Sequence, residues 1–267
     1  MTKSAPRVIA TDLDGTIVRS DGTISARTVS ALSRVERAGS MLVMVTGRPP
    51  RWMTDIAAAV GHRGVAICAN GAVLYDLHTE TVLRADEIPP DVLAETIGRL
   101  RGISPELRFS VEYPDEFVYE ARYEMGRWDA RKFGGRPVDD GELVSRAGTK
   151  LLAFHPDADP DTLSEKATQA VGDLVTVTHS SGRGLLEMSA MGVTKASALA
   201  ALCTEQGIAA SDVTAFGDMV NDLPMLSWAG TSYAVANAHP LVLAAVTHRT
   251  SRNDDDGVAE VLERLFP

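Results

Sequence analysis

The sequence predicts an α/β protein, a doubly wound parallel sheet carrying an α+β insertion, and three observations support that expectation. Short runs of continuous apolar residues, the pattern of strands buried on both faces, end at Thr11, Val45, Ala69 and Phe216. Segments with apolar residues at helical spacing lie between them, the strand–helix–strand order of right-handed crossovers. The stretch from about Leu83 to Gly184 breaks this alternation and reads as strands in an antiparallel style.

Taken in order, Arg7–Thr11 is the first buried strand. Ser25 is placed to cap a helix whose stripe is Val29, Leu32 and Val35, with Gly39 as its stop. Met41–Val45 is the second strand, ending at Thr46-Gly47-Arg48, and a helix from about Arg51 to Val60 leads to the third, Val65–Ala69. Then Ile88-Pro89-Pro90-Asp91 opens a helix over Val92–Leu100. Arg108–Glu112 and Phe117–Glu120 flank the turn Pro114-Asp115-Glu116, and strands at Lys150–His155 and Leu174–His179 enclose a helix over Asp161–Val171. The parallel pattern resumes with a helix Ala196–Gln206, strand Val213–Phe216, helix Leu223–Ala229, strand Tyr233–Val235 and helix Val258–Phe266. The expected domains are therefore 1–82 with 185–267, and an inserted 83–184.

A chain of 267 residues, 45% hydrophobic and 23% charged, has the composition of a globular protein with a sizeable core. Its formal charge of −10 argues against nucleic acid and anionic membrane as partners. No run of about 18 apolar residues exists and the N-terminus lacks a signal-peptide core, so a cytoplasmic protein is expected. Cys68 and Cys203 read as small core hydrophobes. The six histidines are scattered, which disfavours zinc.

In open α/β sheets ligands bind beyond the C-terminal strand ends. Asp12 and Asp14 follow the first strand, Thr46 and Arg48 the second, Asn70 the third, and Asp218 and Asp222 the fourth. Side chains two apart share a strand face, so the carboxylates of Asp12 and Asp14 are expected to converge, with Gly15 letting the backbone turn. Acids gathered from two strands repel one another unless a hard cation lies between them. Mg²⁺ suits Asp12, Asp218 and a backbone carbonyl near Asp14. Asp12 can then attack phosphorus, and Asp14 can protonate the leaving alkoxide and later take a proton from water. Thr46, neighbouring amides and Lys195 can surround the transferring group's oxygens.

Plainer readings stand beside these. Lys195, in the first turn of a helix with Thr194 as its cap, opposes the helix dipole by about 0.3–1 kcal/mol unless an anion binds there. It is otherwise a solvated lysine. Asp222 before Leu223-Pro224 is equally a helix cap, and Asn70-Gly71 is an ordinary turn signal. Glu187 either faces the site or lies on a solvated strand edge. The acidic loop Asn253–Asp256 reads as solvated, capping the last helix. Within the insertion, Glu112, Arg122, Arg127 and Arg183 are polar candidates for substrate contact.

These residues resemble the four motifs of the haloacid dehalogenase superfamily, and more narrowly its Cof-type phosphatases with a large α/β cap after the third core strand. The motifs stand as Asp12-Leu13-Asp14-Gly15-Thr16, Thr46-Gly47-Arg48, Lys195, and Gly217-Asp218-Met219-Val220-Asn221-Asp222. The resemblance implies a Rossmann-like core with a cap that selects substrate. It implies Asp12 as nucleophile and Asp14 as acid/base, with Thr46, Gly47, Lys195 and Asn221 on phosphate. Asp12, Asp14 and Asp218 would hold Mg²⁺, with Asp222 and Arg48 in support. The expected function is Mg²⁺-dependent hydrolysis of a small-molecule phosphomonoester, a sugar phosphate or a phosphorylated cofactor such as flavin mononucleotide or pyridoxal phosphate, by a monomer or homodimer. A phosphomutase and a non-catalytic binding protein on the same fold are the alternatives.

Overall fold

The computed structural model of the chain describes residues 5–123, 134–179 and 184–267. Along the chain the elements run β1 (Val8–Thr11), α1 (Ala26–Arg37), β2 (Met41–Val45), α2 (Thr54–Ala59), β3 (Val65–Cys68), β4 (Val73–Asp76) and β5 (Thr81–Ala85). Then come α3 (Pro90–Ile103), β6 (Arg108–Glu112), β7 (Phe117–Glu120), β8 (Arg136–Val138), α4 (Asp140–Leu143), β9 (Lys150–Phe154), α5 (Pro160–Val171), β10 (Val175–Thr178) and β11 (Leu185–Ala190). The last stretch holds α6 (Lys195–Glu205), β12 (Val213–Gly217), α7 (Leu223–Trp228), β13 (Thr231–Val235), α8 (Pro240–Ala245), β14 (His248–Thr250) and α9 (Gly257–Leu265). Contacts divide them into two units, Met1–Arg84 with Lys195–Pro267, and Ala85–Thr194.

The first unit is built on an eight-stranded sheet in the order β14-β13-β12-β1-β2-β3-β4-β5. β1 pairs in parallel with both β2 and β12, and β4 runs antiparallel to β3. Val8, Ile9, Ala10, Val43 and Ala215 are fully buried, which is why these strands read as unbroken apolar runs. The chain builds outward from β1 through β2 to β3, then returns to build β12, β13 and β14 on the other side. Strand order therefore reverses at β1, and the loops after β1, β2 and β12 open where such folds bind ligands.

The second unit has a six-stranded sheet in the order β10-β11-β9-β6-β7-β8. Side-chain alternation assigns its faces. Phe109, Val111, Leu151, Ala153, Leu186 and Met188 belong to a core completed by residues of α3 and α5, including Leu93, Ile97, Leu163 and Val171. The intervening positions put Phe117, Tyr119, Leu152 and Phe154, with Tyr123, into a separate aromatic cluster. Glu112, Lys150 and Glu187 occupy the same alternate positions as that cluster and are buried.

Where expectation and structure part, the reason is local. The helix expected over 51–60 is split into a 3₁₀ turn at Pro50–Trp52 and the short α2, because Pro49-Pro50 favours a tight opening turn. β5, β8 and β14 lie at sheet edges, where an apolar run is not needed, and none of them carries more than two adjacent apolar residues. The return to the first unit, expected at 185, falls at Lys195 instead. Leu185–Ala190 is an interior strand of the second sheet, and its apolar alternation suits that sheet's two unlike faces. Phe109 is fully buried at the centre of the second unit's core. Phe109→Ala is expected to cost about 3–5 kcal/mol, read as a lowered urea midpoint with far-ultraviolet circular dichroism as the probe.

Candidate active site

The loop after β1 is wound tightly. Asp12 N–H extends the ladder to the Phe216 carbonyl at 3.0 Å, and the Leu13 carbonyl then accepts from Thr16, Ile17 and Val18 at 3.1, 3.0 and 2.8 Å. Gly15 closes the turn at φ +82°, and a Cβ there would collide with the Asp218 carboxylate. Both facts demand glycine. The loop after β12 approaches from the other side, and Thr16 Oγ1 donates to Asp218 Oδ1 at 3.1 Å.

Lys195, the first residue of α6, enters this gap and is 2% exposed, so the solvated reading of it does not hold. Its Nζ donates to Asp12 Oδ1 at 2.6 Å and to Asp222 Oδ1 at 2.7 Å. Asp222 Oδ2 accepts from the backbone N–H of Asp218 and of Met219, each at 3.0 Å. Asp222 thus makes no side-chain cap for α7 and acts instead as the clamp that closes the β12 loop onto Lys195.

Oxygens of Asp12, Asp218 and Asp222 lie within 4.8 Å of one another. Against them stands one ammonium, so the ionised nest carries two surplus negative charges. Burial raises the Asp12 pKa well above 3.8, Lys195 opposes that rise, and Asp222 and Asp218 add to it. Asp218 is pushed from 3.8 up to about 7 by burial and then by Asp222. For Lys195, burial works against the ammonium, but Asp12 and Asp222 outweigh it and its pKa rises. A divalent cation fits this donor set: hard oxygens, converging, with two charges to neutralise. Both oxygens of Asp222 are taken, by Lys195 and by two backbone amides. That leaves Asp12 and Asp218 as the residues that could hold such a cation.

The structure separates Asp14 from this nest. Its carboxylate was expected to converge with that of Asp12, but β1 ends at Thr11 and the turn around the Leu13 carbonyl cancels strand alternation. Asp14 is half exposed and held by Arg48, whose Nε reaches Oδ2 at 2.7 Å and whose second guanidinium nitrogen reaches Oδ1. Thr46 is buried at the end of β2, its hydroxyl accepting from the Arg48 N–H at 3.1 Å, with Gly47 between them. Asn221 is buried between Asp218 and Asp222 and donates from Nδ2 to Asn70 Oδ1 at 3.1 Å.

The candidates in the inserted unit are placed by that unit's own sheet. Glu112 is buried beside Lys150 in the β6–β9 register, and Lys150 pairs with Glu187 at 2.9 Å. Glu187 is therefore not on a solvated edge. Arg122 is tied to Glu120 and to the carbonyls of Pro105 and Leu107 at 3.3, 3.1 and 3.3 Å, which makes it a brace for that loop. Arg127 and Arg183 lie outside the described residues.

Sequence reasoning missed a brace behind the nucleophile loop. Asn237 donates to the Gly15 carbonyl at 2.8 Å and accepts from the Asn253 N–H at 2.9 Å, while Asn253 donates to the Val18 carbonyl at 3.0 Å. Asp254 accepts from the amide and hydroxyl of Ser20 at 2.9 and 2.6 Å, and Asp256 from Arg19 at 2.7 Å. The loop expected to be solvated and to cap α9 instead grips residues 15–20, and Asp256 makes no side-chain cap bond. Its run of short polar side chains was the available signal, since such residues satisfy backbone groups of irregular loops.

The haloacid dehalogenase-like hydrolase sequence profile matches residues 9–262, and the chain belongs to that family of hydrolases. Pyridoxal phosphate phosphatase YbhA of Escherichia coli K12 is 29% identical over 96% of this chain and 97% of its own. A Bacillus subtilis phosphatase, YitU, named for 5-amino-6-(5-phospho-D-ribitylamino)uracil, is 25% identical over 99% of each. A crystal structure of a Thermotoga maritima protein superposes with a TM-score of 0.77 at 28% identity, covering 97% of each chain.

The nest generates a stability prediction. Without divalent cation the folded chain holds the Asp218 proton up to about pH 7, whereas the unfolded chain releases it near 3.8. The folded state binds more protons across that window, so stability falls as pH rises through it. Asp218→Asn is expected to flatten this slope. At pH 8 in EDTA it should also raise the melting temperature by about 2–4 °C, the shift that about 1 kcal/mol gives in a domain of this size. Differential scanning calorimetry across pH 5–8 checks both.

Proposed function

We propose that this hydrolase is a Mg²⁺-dependent phosphatase of small phosphomonoesters, working through a phosphorylated Asp12. The observation that carries the reading is the buried Lys195 ammonium bridging Asp12 and Asp222 beside Asp218. A buried lysine and three crowded carboxylates are costly to assemble and have no evident use in packing. They fit a site where a carboxylate attacks a group that brings its own negative charge.

On this reading Lys195 orients Asp12 Oδ1 and leaves Oδ2 to form the bond to phosphorus as the ester oxygen departs. Lys195, Thr46 Oγ1 and the loop amides near Gly47 meet the oxygens of the transferring group. Asp14 gives its proton to the leaving alkoxide, then takes one from the water that attacks the aspartyl-phosphate, returning Asp12 and inorganic phosphate. Arg48 occupies both Asp14 oxygens, so proton transfer there requires that pair to open. Mg²⁺, held by Asp12 and Asp218, would neutralise charge on the nest and the phosphate. Substrate choice is assigned to the inserted unit, where Glu112 and the Lys150–Glu187 pair are the polar groups at hand. The named activities of the relatives support phosphorylated cofactors and their precursors as the first substrates to screen, ahead of simple sugar phosphates.

Asp12→Asn is expected to fold normally and to lower kcat by about four or more orders of magnitude. EDTA should abolish turnover and Mg²⁺ restore it, with phosphate release followed on pyridoxal phosphate and a panel of sugar phosphates. Retained activity in Asp12→Asn would refute the nucleophile assignment. A requirement for a bisphosphate activator would favour a mutase.

A further inference from the structure

The loop between β13 and α8 bonds to both acid-bearing loops, yet none of its residues enters the scheme above. Asn237 Nδ2 donates to the Gly15 carbonyl at 2.8 Å, and two residues on the His239 N–H donates to the Asp218 carbonyl at 2.8 Å. Asn237 Oδ1 accepts from the Asn253 N–H at 2.9 Å. Both ends of this carboxamide therefore meet backbone groups of fixed polarity, a carbonyl and an N–H, and it has one orientation only. Asn237 is partly exposed and follows the exposed Ala236, so apolar packing does not account for its placement.

What Asn237 holds is the peptide between Gly15 and Thr16. The carbonyl of that peptide accepts from Asn237, and its N–H donates to the Leu13 carbonyl at 3.1 Å. Bonded at both ends, the peptide plane resists rotation next to Gly15, the residue with the most backbone freedom in the turn. Thr16 comes next in the chain, is 1% exposed, and donates from Oγ1 to Asp218 Oδ1 at 3.1 Å. Asp218 is thus held at its side chain through Thr16 and at its carbonyl by His239, and the loop after β13 controls both holds. Asp12 and Asp218, the pair able to take a cation, present oxygens within 4.8 Å of each other.

We propose that Asn237 is a positioning residue: by fixing the Gly15–Thr16 peptide it sets where the Asp218 carboxylate stands relative to Asp12, and so favours Mg²⁺ over Ca²⁺ between them. The proposal rests on the reading of this site as a Mg²⁺ site. Mg²⁺ demands near-octahedral geometry and short bonds, whereas Ca²⁺ accepts more ligands at longer, more variable distances. A pair of carboxylates held at fixed spacing discriminates against the larger ion. A pair whose spacing relaxes loses Mg²⁺ affinity first. Asn253 separates this role from ordinary bracing. Its side chain donates to the Val18 carbonyl at 3.0 Å, while its backbone N–H is the group that reaches Asn237.

Isothermal titration of MgCl₂ and, separately, of CaCl₂ into the metal-free protein is the measurement, with melting temperatures in EDTA as the control for folding. Asn237→Ala is expected to raise the Mg²⁺ Kd about three- to tenfold, the loss of one hydrogen bond, and the Ca²⁺ Kd by less than about twofold. Asn237→Asp still accepts from the Asn253 N–H but cannot donate to Gly15, so the ratio of the two Kd values should shift as it does in Asn237→Ala. Asn253→Ala keeps the N–H that Asn237 accepts from. It should lower the melting temperature and leave the ratio unchanged. In turnover, Asn237→Ala should need correspondingly more Mg²⁺ for half-maximal rate, with kcat at saturating Mg²⁺ held within about threefold. An unchanged ratio in either Asn237 variant, or an equal shift in Asn253→Ala, overturns the proposal and leaves the functional reading standing wherever Mg²⁺ restores turnover. If the ratios shift as expected but no phosphomonoester is hydrolysed, the functional reading fails and the inference stands. If the unaltered protein binds no Mg²⁺, both fall.

Discussion

An ammonium sealed among three carboxylates is the constraint around which the catalytic unit is arranged. Lys195 is almost inaccessible, Asp222 entirely so, and neither side chain would tolerate that burial without the other. Removing either partner would leave an unpaired buried charge. The pairing also explains why Asp222 is spent on structure while Asp12 and Asp218 are not: Lys195 and two backbone amides saturate Asp222. What remains is a nest with more negative than positive charge, held in place by covalent neighbours and strand ends. Its own electrostatics oppose that assembly, and this is the condition in which a cation and an anionic substrate bind with mutual benefit.

The fold bears the cost of that arrangement through topology. Strand order reverses at β1, so the loops after β1, β2 and β12 open at the same edge and can share a ligand. Close approach does the rest. Gly15 admits the Asp218 carboxylate, and Gly217 admits the Asp222 side chain, whose Cβ would lie 2.7 Å from any Cβ placed at 217. Behind the β1 loop, Asn237 and Asn253 satisfy carbonyls that a tight turn leaves outside the sheet. The site is therefore rigid where bonds must be made. Its more exposed polar link is the Arg48–Asp14 pair.

The inserted unit follows a different logic. One face of its sheet is a conventional apolar core under α3 and α5, and the other combines aromatic rings with buried charge. Lys150 and Glu187 are paired, and Glu120 is gripped by Arg101 and Arg122 at 2.8 and 3.3 Å. Buried ion pairs of this kind contribute little net stability compared with apolar packing, but they fix which side chain lies where.

The sequence by itself determined the class of fold and named the candidates for the site. Unbroken apolar runs read as strands covered on both faces, and polar residues just beyond their ends stand out, so Asp12, Thr46 and Asp218 were legible as candidates, while Lys195 and Asp222 each kept a plainer reading until their burial was seen. Edge strands such as β5 and β14 were not legible, because an exposed edge needs no apolar signature. Only the tertiary structure decided which acid pairs with which cation. Lys195 bonds partners 183 and 27 residues away, and Arg48 takes Asp14 out of the nest from 34 residues away. Periodicity reports which face a residue occupies within one element. It carries no information about what another loop brings to meet that residue, and the division of labour among these carboxylates was set there.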